Sequence, residues 1–193
     1  MAEKKDYFEL LVNKFTEESA KEFREILLSE CKKDVKKPAV VWIDTKGGAI
    51  DALATMVETI ESVQNEVITA CVGRAMSAGA ILLSCGSKRY CGRNSRVMIH
   101  ECLVGPPNAN VHEVATYSKE ALRMNEYWLD RLAKNCRIEG GYAALKKIFK
   151  ECEDDRTIYL NAEEALKFGI VDFIGVPKIE VKTIYEVVTS SKA

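Results

Sequence analysis

Short apolar runs alternate with amphipathic stretches along most of the chain. Runs bounded by turn residues, as buried strands of a parallel sheet are, occur at 10–12, 39–43, 67–72, 95–99 and 158–160. Between them, hydrophobic residues recur at helical spacing, which predicts helices after Phe15, from Ile50 onward, over 78–85, 111–136 and 142–152, and after Asn161. This alternation predicts an α/β fold with largely parallel strands.

Capping residues support two of the helix boundaries. Asn110 stands three residues before Glu113, and Asn161 three residues before Glu164, which is the spacing of a capping box. Gly169 is then well placed to end the last helix. Because no repeat, low-complexity tract or linker divides the chain, we expect one domain over residues 1–193.

Composition and charge exclude several classes of protein. The chain is 47% hydrophobic and 30% charged, which is typical of a globular protein, and its formal net charge is −1. Lys and Arg are scattered, so nothing favours a nucleic acid or a membrane as partner. No secretory signal or membrane span is visible. Seven cysteines without a C-x-x-C pair argue against a zinc site or a disulfide framework, and we expect a reducing, cytoplasmic location.

A serine stands where a predicted strand gives way to a helix of small residues. In the stretch Gly-Arg-Ala-Met-Ser-Ala-Gly at 73–79, Ser77 lies at the start of the helix, where unpaired N–H groups can stabilise an oxyanion. Serine is also a preferred helix N-cap, so a purely structural role stays open. The G-x-S-x-G motif of many hydrolases is absent.

Gly47 and Gly48 form a similar turn after another predicted strand. Glycine allows close backbone approach, and turns at the carboxyl ends of neighbouring parallel strands face one crevice. N–H groups from the two turns can therefore converge on one oxygen. A tight strand-to-helix turn without chemistry is the alternative.

Two histidines are available as a base for the serine. His100 directly follows the strand at 95–99, whereas His112 falls in the first turn of the long helix and is expected to be solvated. The acid that would orient His100 is less clearly marked. Asp130 lies mid-helix among charges; Asp172 lies further downstream; Asp154 and Asp155 precede a short strand, in an acidic run that can equally be a solvated turn.

Residues 71–100, CVGRAMSAGAILLSCGSKRYCGRNSRVMIH, closely resemble the nucleophile-to-histidine segment of the Clp protease proteolytic subunits. They carry that family's small-residue turn around S-x-G-A, its apolar helix, a K-R-Y-C strand and the N-S-R-V-M-I-H run. Upstream, D-T-K-G-G-A-I resembles the S-P-G-G oxyanion loop. Downstream, LNAEEALKFGIVD resembles L-S-A-x-E-A-x-x-Y-G-L-(V/I)-D, so that the resemblance spans roughly residues 38–172.

This resemblance implies a ClpP/crotonase-like fold of repeated β-β-α units, with the helix at about 111–136 projecting as a handle that interlocks subunits. It implies rings stacked in pairs around a closed chamber, in which a serine endopeptidase cleaves peptides or unfolded proteins. Ser77 would be the nucleophile and His100 the base, and the backbone N–H groups of Gly48 and Ala78 would hold the oxyanion. No metal or organic cofactor is implied.

The chain departs from the family pattern at three places. An ungapped register puts Thr157 where the family has its aspartate, and we predict that Asp155, two residues earlier, serves instead, with Asp154 in reserve. Lys46 replaces the proline before the double glycine. The family's axial pore loops have little counterpart ahead of Leu10, which leaves docking to an AAA+ unfoldase open and makes a stand-alone, prophage-like or divergent member credible.

Three alternatives remain open at this point. A weakly active or inert Clp-like scaffold is favoured by Thr157 at the acid's position. A crotonase-type acyl-CoA enzyme shares the oxyanion hole but does not need a serine–histidine pair. A peptidase with a Ser–Lys dyad, similar to signal-peptide peptidases, would use Lys46 or Lys88 as its base.

Overall fold

The computed structural model describes residues 7–103, 110–152 and 157–178. Its strands are β1 (Phe8–Val12), β2 (Ala39–Thr45), β3 (Val67–Met76), β4 (Lys88–Cys91), β5 (Arg96–His100), β6 (Thr157–Leu160) and β7 (Phe173–Ile174). Its helices are α1 (Glu17–Lys33), α2 (Ile50–Ser62), α3 (Ala78–Leu83), α4 (Val111–Asn135), α5 (Gly141–Glu151) and α6 (Ala162–Phe168).

All of these strands belong to one sheet. Strands β1, β2, β3, β4 and β7 are hydrogen-bonded in that order and run parallel. Strand β5 runs parallel to the end of β3, and β6 runs antiparallel to β5. The prediction of an α/β fold with a largely parallel sheet is therefore confirmed, with β5 and β6 as an antiparallel pair.

Strand β3 is longer than the apolar run at 67–72 predicts. Gly73, which we expected to begin a turn, sits in the left-handed region at φ +93 and forms a kink, where the register between β2 and β3 slips. The strand then continues to Met76, and its pairing partner changes from β4 to β5. A glycine inside a strand marked a bulge and not an end.

The predicted helix caps are confirmed. The side chains of Asn110 and Asn161 accept hydrogen bonds from the first turns of α4 and α6, and Gly169 ends α6 in the left-handed conformation. Thr16 caps α1 in the same way. Two apolar residues that helical spacing would place on buried faces are exposed: Ile26 of α1 is 39% exposed and Leu122 of α4 is 69% exposed.

The hydrophobic core lies between the sheet and its helices. Helix α1 buries Ala20, Phe23, Leu27 and Cys31 and packs against α2 and β1. Helix α3, whose six residues are all buried, packs on β2 and β3. Among the described side chains of α4, those that join this core lie in its second half: Trp128, Leu129, Leu132 and Ala133. Positions 112–123 are exposed or half-buried, as expected of His112.

No helix among the described residues combines the length and apolarity that crossing a membrane requires.

Candidate active site

Ser77 occupies a strained corner between β3 and α3. Its backbone lies at φ 56 and ψ −120, a region that residues other than glycine rarely adopt. The Ser77 N–H donates to the carbonyl of Met98 on β5, at 2.8 Å, which fixes the corner against the neighbouring strand. Ser77 is the N-cap residue of α3, as its position predicts, but its side chain makes no capping hydrogen bond to the helix. Its hydroxyl is left available for chemistry.

The turn at Gly47 packs directly against this corner. A Cβ atom on Gly47 would lie 2.7 Å from the Cβ of Ser77 and 2.9 Å from the carbonyl oxygen of Met76. Gly47 also has φ +97, which strains any other residue. On the other side of the corner, a Cβ on Gly79 would lie 2.4 Å from Thr45 Cγ2. Glycine at both positions lets the two strand-to-helix turns touch.

Two backbone N–H groups near Ser77 are unused. Ala78 is the first residue of α3, so its N–H has no partner within the helix. Gly48 is held by Phe15, whose carbonyl accepts from Ala49 N at 3.0 Å and would lie 2.5 Å from a Cβ on Gly48. Within the described part of the chain, no oxygen accepts from the N–H of Gly48 or Ala78. Both groups are therefore free to donate to a ligand oxygen.

His100 is the last residue of β5 and not the first residue after it, because the strand lies one residue later in the chain than the predicted 95–99. It lies two residues beyond Met98, which pairs with Met76 directly before the serine, so β3 and β5 bring both side chains to one edge of the sheet. Burial lowers the pKa of His100 below its ordinary value. The imidazole is therefore neutral, and able to accept a proton, at neutral pH. It forms no hydrogen bond with Ser77 in this structure.

Thr157 lies directly across from His100 in the antiparallel pairing of β5 with β6. Side chains of directly opposed residues share a face, with Cβ atoms about 5 Å apart. Asp155, the predicted acid, and Asp154, its reserve, lie outside the described residues.

The other two acidic candidates are engaged elsewhere. Asp130 pairs with Lys134 at 2.7 Å and accepts from Tyr142 N, and the hydrogen bond from Lys134 holds its pKa below the ordinary value. Asp172 is clamped by Arg89, whose Nε and Nη2 both donate to it, and these bonds lower the pKa of Asp172. Each carboxylate thus serves the packing of neighbouring elements.

Ser77 and His100 open onto one cleft of about 290 Å³. Gly48 and Ala78 lie on the same wall as the serine, and Lys46 stands beside them. The rest of the lining is mostly apolar and comes from α2, α3, the end of β5 and α4: Ile50, Leu53, Ile81, Met98, Ile99, Cys102, Leu103, Trp128 and Leu129. Such a surface beside a nucleophile suits an apolar side chain of a ligand.

Comparison with known proteins assigns the chain to a family. The family model of the Clp proteases matches residues 6–178. The chain belongs to the Clp protease family. It is 36% identical over 141 residues to the ATP-dependent Clp protease proteolytic subunit 3 of Synechococcus sp. strain CC9605, and equally to that of strain CC9902. The subunit 3 of Parasynechococcus marenigrum strain WH8102 is as similar, and each alignment covers 72% of this chain and 67% of the relative.

Membership of the Clp proteases makes this chain a serine-type endopeptidase. It confirms the resemblance carried by residues 71–100 and favours a peptidase over the acyl-CoA enzyme.

One buried polar side chain that holds a cleft residue, Cys102, was not predicted from the sequence. Asn125, in the middle of α4, is buried, and its Oδ1 accepts from Cys102 N at 2.8 Å. Its Nδ2 donates to the hydroxyl of Tyr142 at 3.3 Å. Asn125 thus ties the segment after His100 to α4 and α5. The one signal was a polar residue on an otherwise apolar stripe, where a buried amide needs partners.

The role of α4 in the cleft was also missed. Trp128 and Leu129 fall at helical spacing in the predicted helix over 111–136, and they line the cleft as well as the core. Periodicity identifies the buried face of a helix, but not which of its residues border a cavity.

Proposed function

We propose that this Clp-family endopeptidase uses Ser77 as its nucleophile and His100 as its general base. The observation that carries the proposal is the strained Ser77 corner, whose hydroxyl makes no capping bond and faces the cleft that His100 also lines. Backbone strain of this kind is retained where function requires it.

In the proposed mechanism His100 takes the proton of the Ser77 hydroxyl as the oxygen attacks the peptide carbonyl. The resulting oxyanion accepts from the backbone N–H groups of Gly48 and Ala78, which have no acceptor among the described residues. His100 then gives the proton to the leaving amine, and an acyl-enzyme on Ser77 remains. Water, deprotonated by His100, hydrolyses this ester and restores the serine.

Asp155 is our proposal for the group that orients His100, with Asp154 in reserve. The support is proximity in sequence, because Asp155 precedes by two residues the Thr157 that is paired with His100. A carboxylate would fix the imidazole tautomer and stabilise the imidazolium.

A specific observation favours a second candidate, a weakly active or inert Clp-like scaffold. The residue opposite His100 in the strand pair is a threonine. A hydroxyl can accept a hydrogen bond from the imidazole, but it supplies no negative charge for the imidazolium. An enzyme of this kind would keep the part of catalysis that comes from the oxyanion hole and substrate binding.

We also propose that α4 is the handle helix of a homo-oligomer of stacked rings enclosing a chamber. It leaves apolar surface uncovered, since Tyr117 and Leu122 in its first half are 44% and 69% exposed and Tyr127 in its second half is 56% exposed. Sedimentation velocity would show assemblies well above the 21.6 kDa chain, and Leu122→Glu would weaken them. A monomer at all micromolar concentrations would contradict this.

Several finer features remain predictions. These are the repeat of β-β-α units, the single domain over residues 1–193, unfolded proteins as substrates and the absence of nucleic-acid and membrane partners. Docking to an AAA+ unfoldase stays open. We propose a cytoplasmic location because all seven cysteines are free thiols.

A fluorophosphonate that reacts with activated serines tests the site. We expect labelling at Ser77, found by mass spectrometry of the digested protein, and its loss in Ser77→Ala and His100→Ala. His112→Ala is the matched control, because that histidine is exposed on α4 and should not matter. An assembled, folded protein without labelling would favour the scaffold.

A further inference from the structure

Lys46 lies next to the candidate oxyanion loop, on the wall of the cleft. It directly follows β2 and precedes Gly47 and Gly48, and it lines the cleft together with Ser77 and His100. Among the described residues that line the cleft, it is the one with a formal charge at neutral pH, since His100 is neutral there. Lys46 is therefore the positive charge that the described lining residues offer to a ligand.

No carboxylate in the described ranges neutralises this charge. Lys46 forms no ion pair with residues 7–103, 110–152 or 157–178, and its side chain is exposed. The acid nearest to it along β2, Asp44, pairs instead with Arg74, whose Nε lies 3.5 Å from Asp44 Oδ1. A flexible lysine ammonium with no partner at the edge of a cleft can meet a carboxylate of a bound ligand.

We propose that Lys46 makes this site select acidic peptides. The preferred substrate carries an apolar residue before the scissile bond, which fits the apolar part of the cleft, and a glutamate or aspartate adjacent to it. This inference rests on the proposed function, because it assumes that peptides bind where Ser77 and His100 meet. Lys46 is a specificity residue and takes no part in the bond-making steps.

The expected size of the effect follows from the exposure of Lys46. A solvent-exposed ion pair favours the acidic peptide by about fivefold at low ionic strength. Salt screens such a pair, so the preference should shrink at high ionic strength, where the Debye length falls to roughly 3 Å at 1 M. A lysine-bearing peptide should be disfavoured to a similar extent by like-charge repulsion.

The test uses internally quenched peptides with leucine directly before the scissile bond. The residue preceding this leucine, or the residue following the bond, is Glu, Gln or Lys. The readout is the ratio of kcat/KM for the Glu peptide to that for the Gln peptide. We expect about fivefold in the wild type, about one in Lys46→Gln, and a value below one in Lys46→Glu, with the Lys peptide now preferred. Lys46→Arg should keep the preference, and Lys36→Gln, an exposed lysine outside the cleft, is the matched control.

A binding measurement separates this inference from the proposed function. Ser77→Ala, with or without Lys46→Gln, is titrated into fluorescently labelled Glu and Gln peptides, and anisotropy gives the two Kd values. Tighter binding of the Glu peptide that disappears with Lys46→Gln supports the inference even where no variant cleaves. Equal Glu-to-Gln ratios in wild type and Lys46→Gln, by cleavage or by binding, would overturn it, whereas cleavage that survives Ser77→Ala would overturn the proposed function alone.

Discussion

The serine side and the histidine side of the cleft are held in place in different ways. Ser77 sits in a corner fixed by backbone contacts, with Gly47 and Gly79 packed so tightly against it that a methyl group would collide. His100 ends a strand and is half-buried, and the residue paired with it is Thr157. The position of Ser77 thus depends on the packing of the main chain, whereas that of His100 depends on a side-chain partner. Substitutions that disturb this packing on the serine side should therefore change both stability and activity, and those on the histidine side mainly kcat and its pH dependence.

The largest expected effect is that of Ser77→Ala on the serine side. Loss of the attacking oxygen should lower kcat by about 10⁴-fold or more. Stability should change little, because the hydroxyl makes no capping bond to lose and alanine fits the same small-residue turn. Peptide cleavage and thermal unfolding measure the two effects. Activity at the wild-type level would refute the serine mechanism.

On the histidine side, Asp155→Asn should reduce kcat by up to about 10⁴-fold if Asp155 orients His100, by analogy with the chymotrypsin aspartate-to-asparagine variant. Asp154→Asn should do much less, since adjacent residues point in different directions and only one can meet the imidazole.

Thr157→Asp is the complementary test. If the acid's position is the one opposite His100, this variant should raise kcat above the wild type, and Asp155→Asn should then be nearly silent. A large loss in Asp155→Asn together with no gain in Thr157→Asp would assign the role to Asp155.

Gly47→Ala should damage the serine corner without touching a reacting group. The new Cβ would lie 2.7 Å from Ser77 Cβ, and the residue would keep a left-handed φ, so the corner must shift. We expect kcat to fall by about 10²-fold, because small displacements of reacting groups are costly, and stability to fall by ~1–3 kcal/mol.

Gly175→Ala is the matched control for this prediction. Gly175 also has a left-handed φ, at +121, but a Cβ there meets nothing within 4 Å. It should lose stability without losing activity, which isolates the collision at Gly47 from backbone strain. Equal activity losses in both variants would show that the close packing is unimportant.

The same contrast explains what the sequence could predict. Ser77, His100 and the two glycine turns are marked by small residues and strand ends, which constrain the backbone locally and are visible in one stretch of sequence. The partner of His100 comes from β6, more than fifty positions downstream, and only the strand register shows that Thr157 faces it. Asn125 was missed for the same reason, since its hydrogen bonds to Cys102 and Tyr142 exist only in the folded chain.

The pH dependence of kcat/KM is the smallest expected effect, and it is the one most specific to the histidine side. Burial lowers the pKa of His100, so the acid limb of the kcat/KM profile should fall below the ordinary histidine value of about 6.5. The free energy of unfolding should also fall toward acid pH. The unfolded chain takes up the proton first, so the stability tied to neutral His100 is complete above the ordinary histidine pKa and is lost as the pH falls from there through the lower pKa of the folded state. Thr157→Asp should move the acid limb to higher pH, because a nearby carboxylate favours the imidazolium. Removing the exposed His112 should leave the profile unchanged; an acid limb that moves with His112→Ala and not with Thr157→Asp would mean that His100 is not the base.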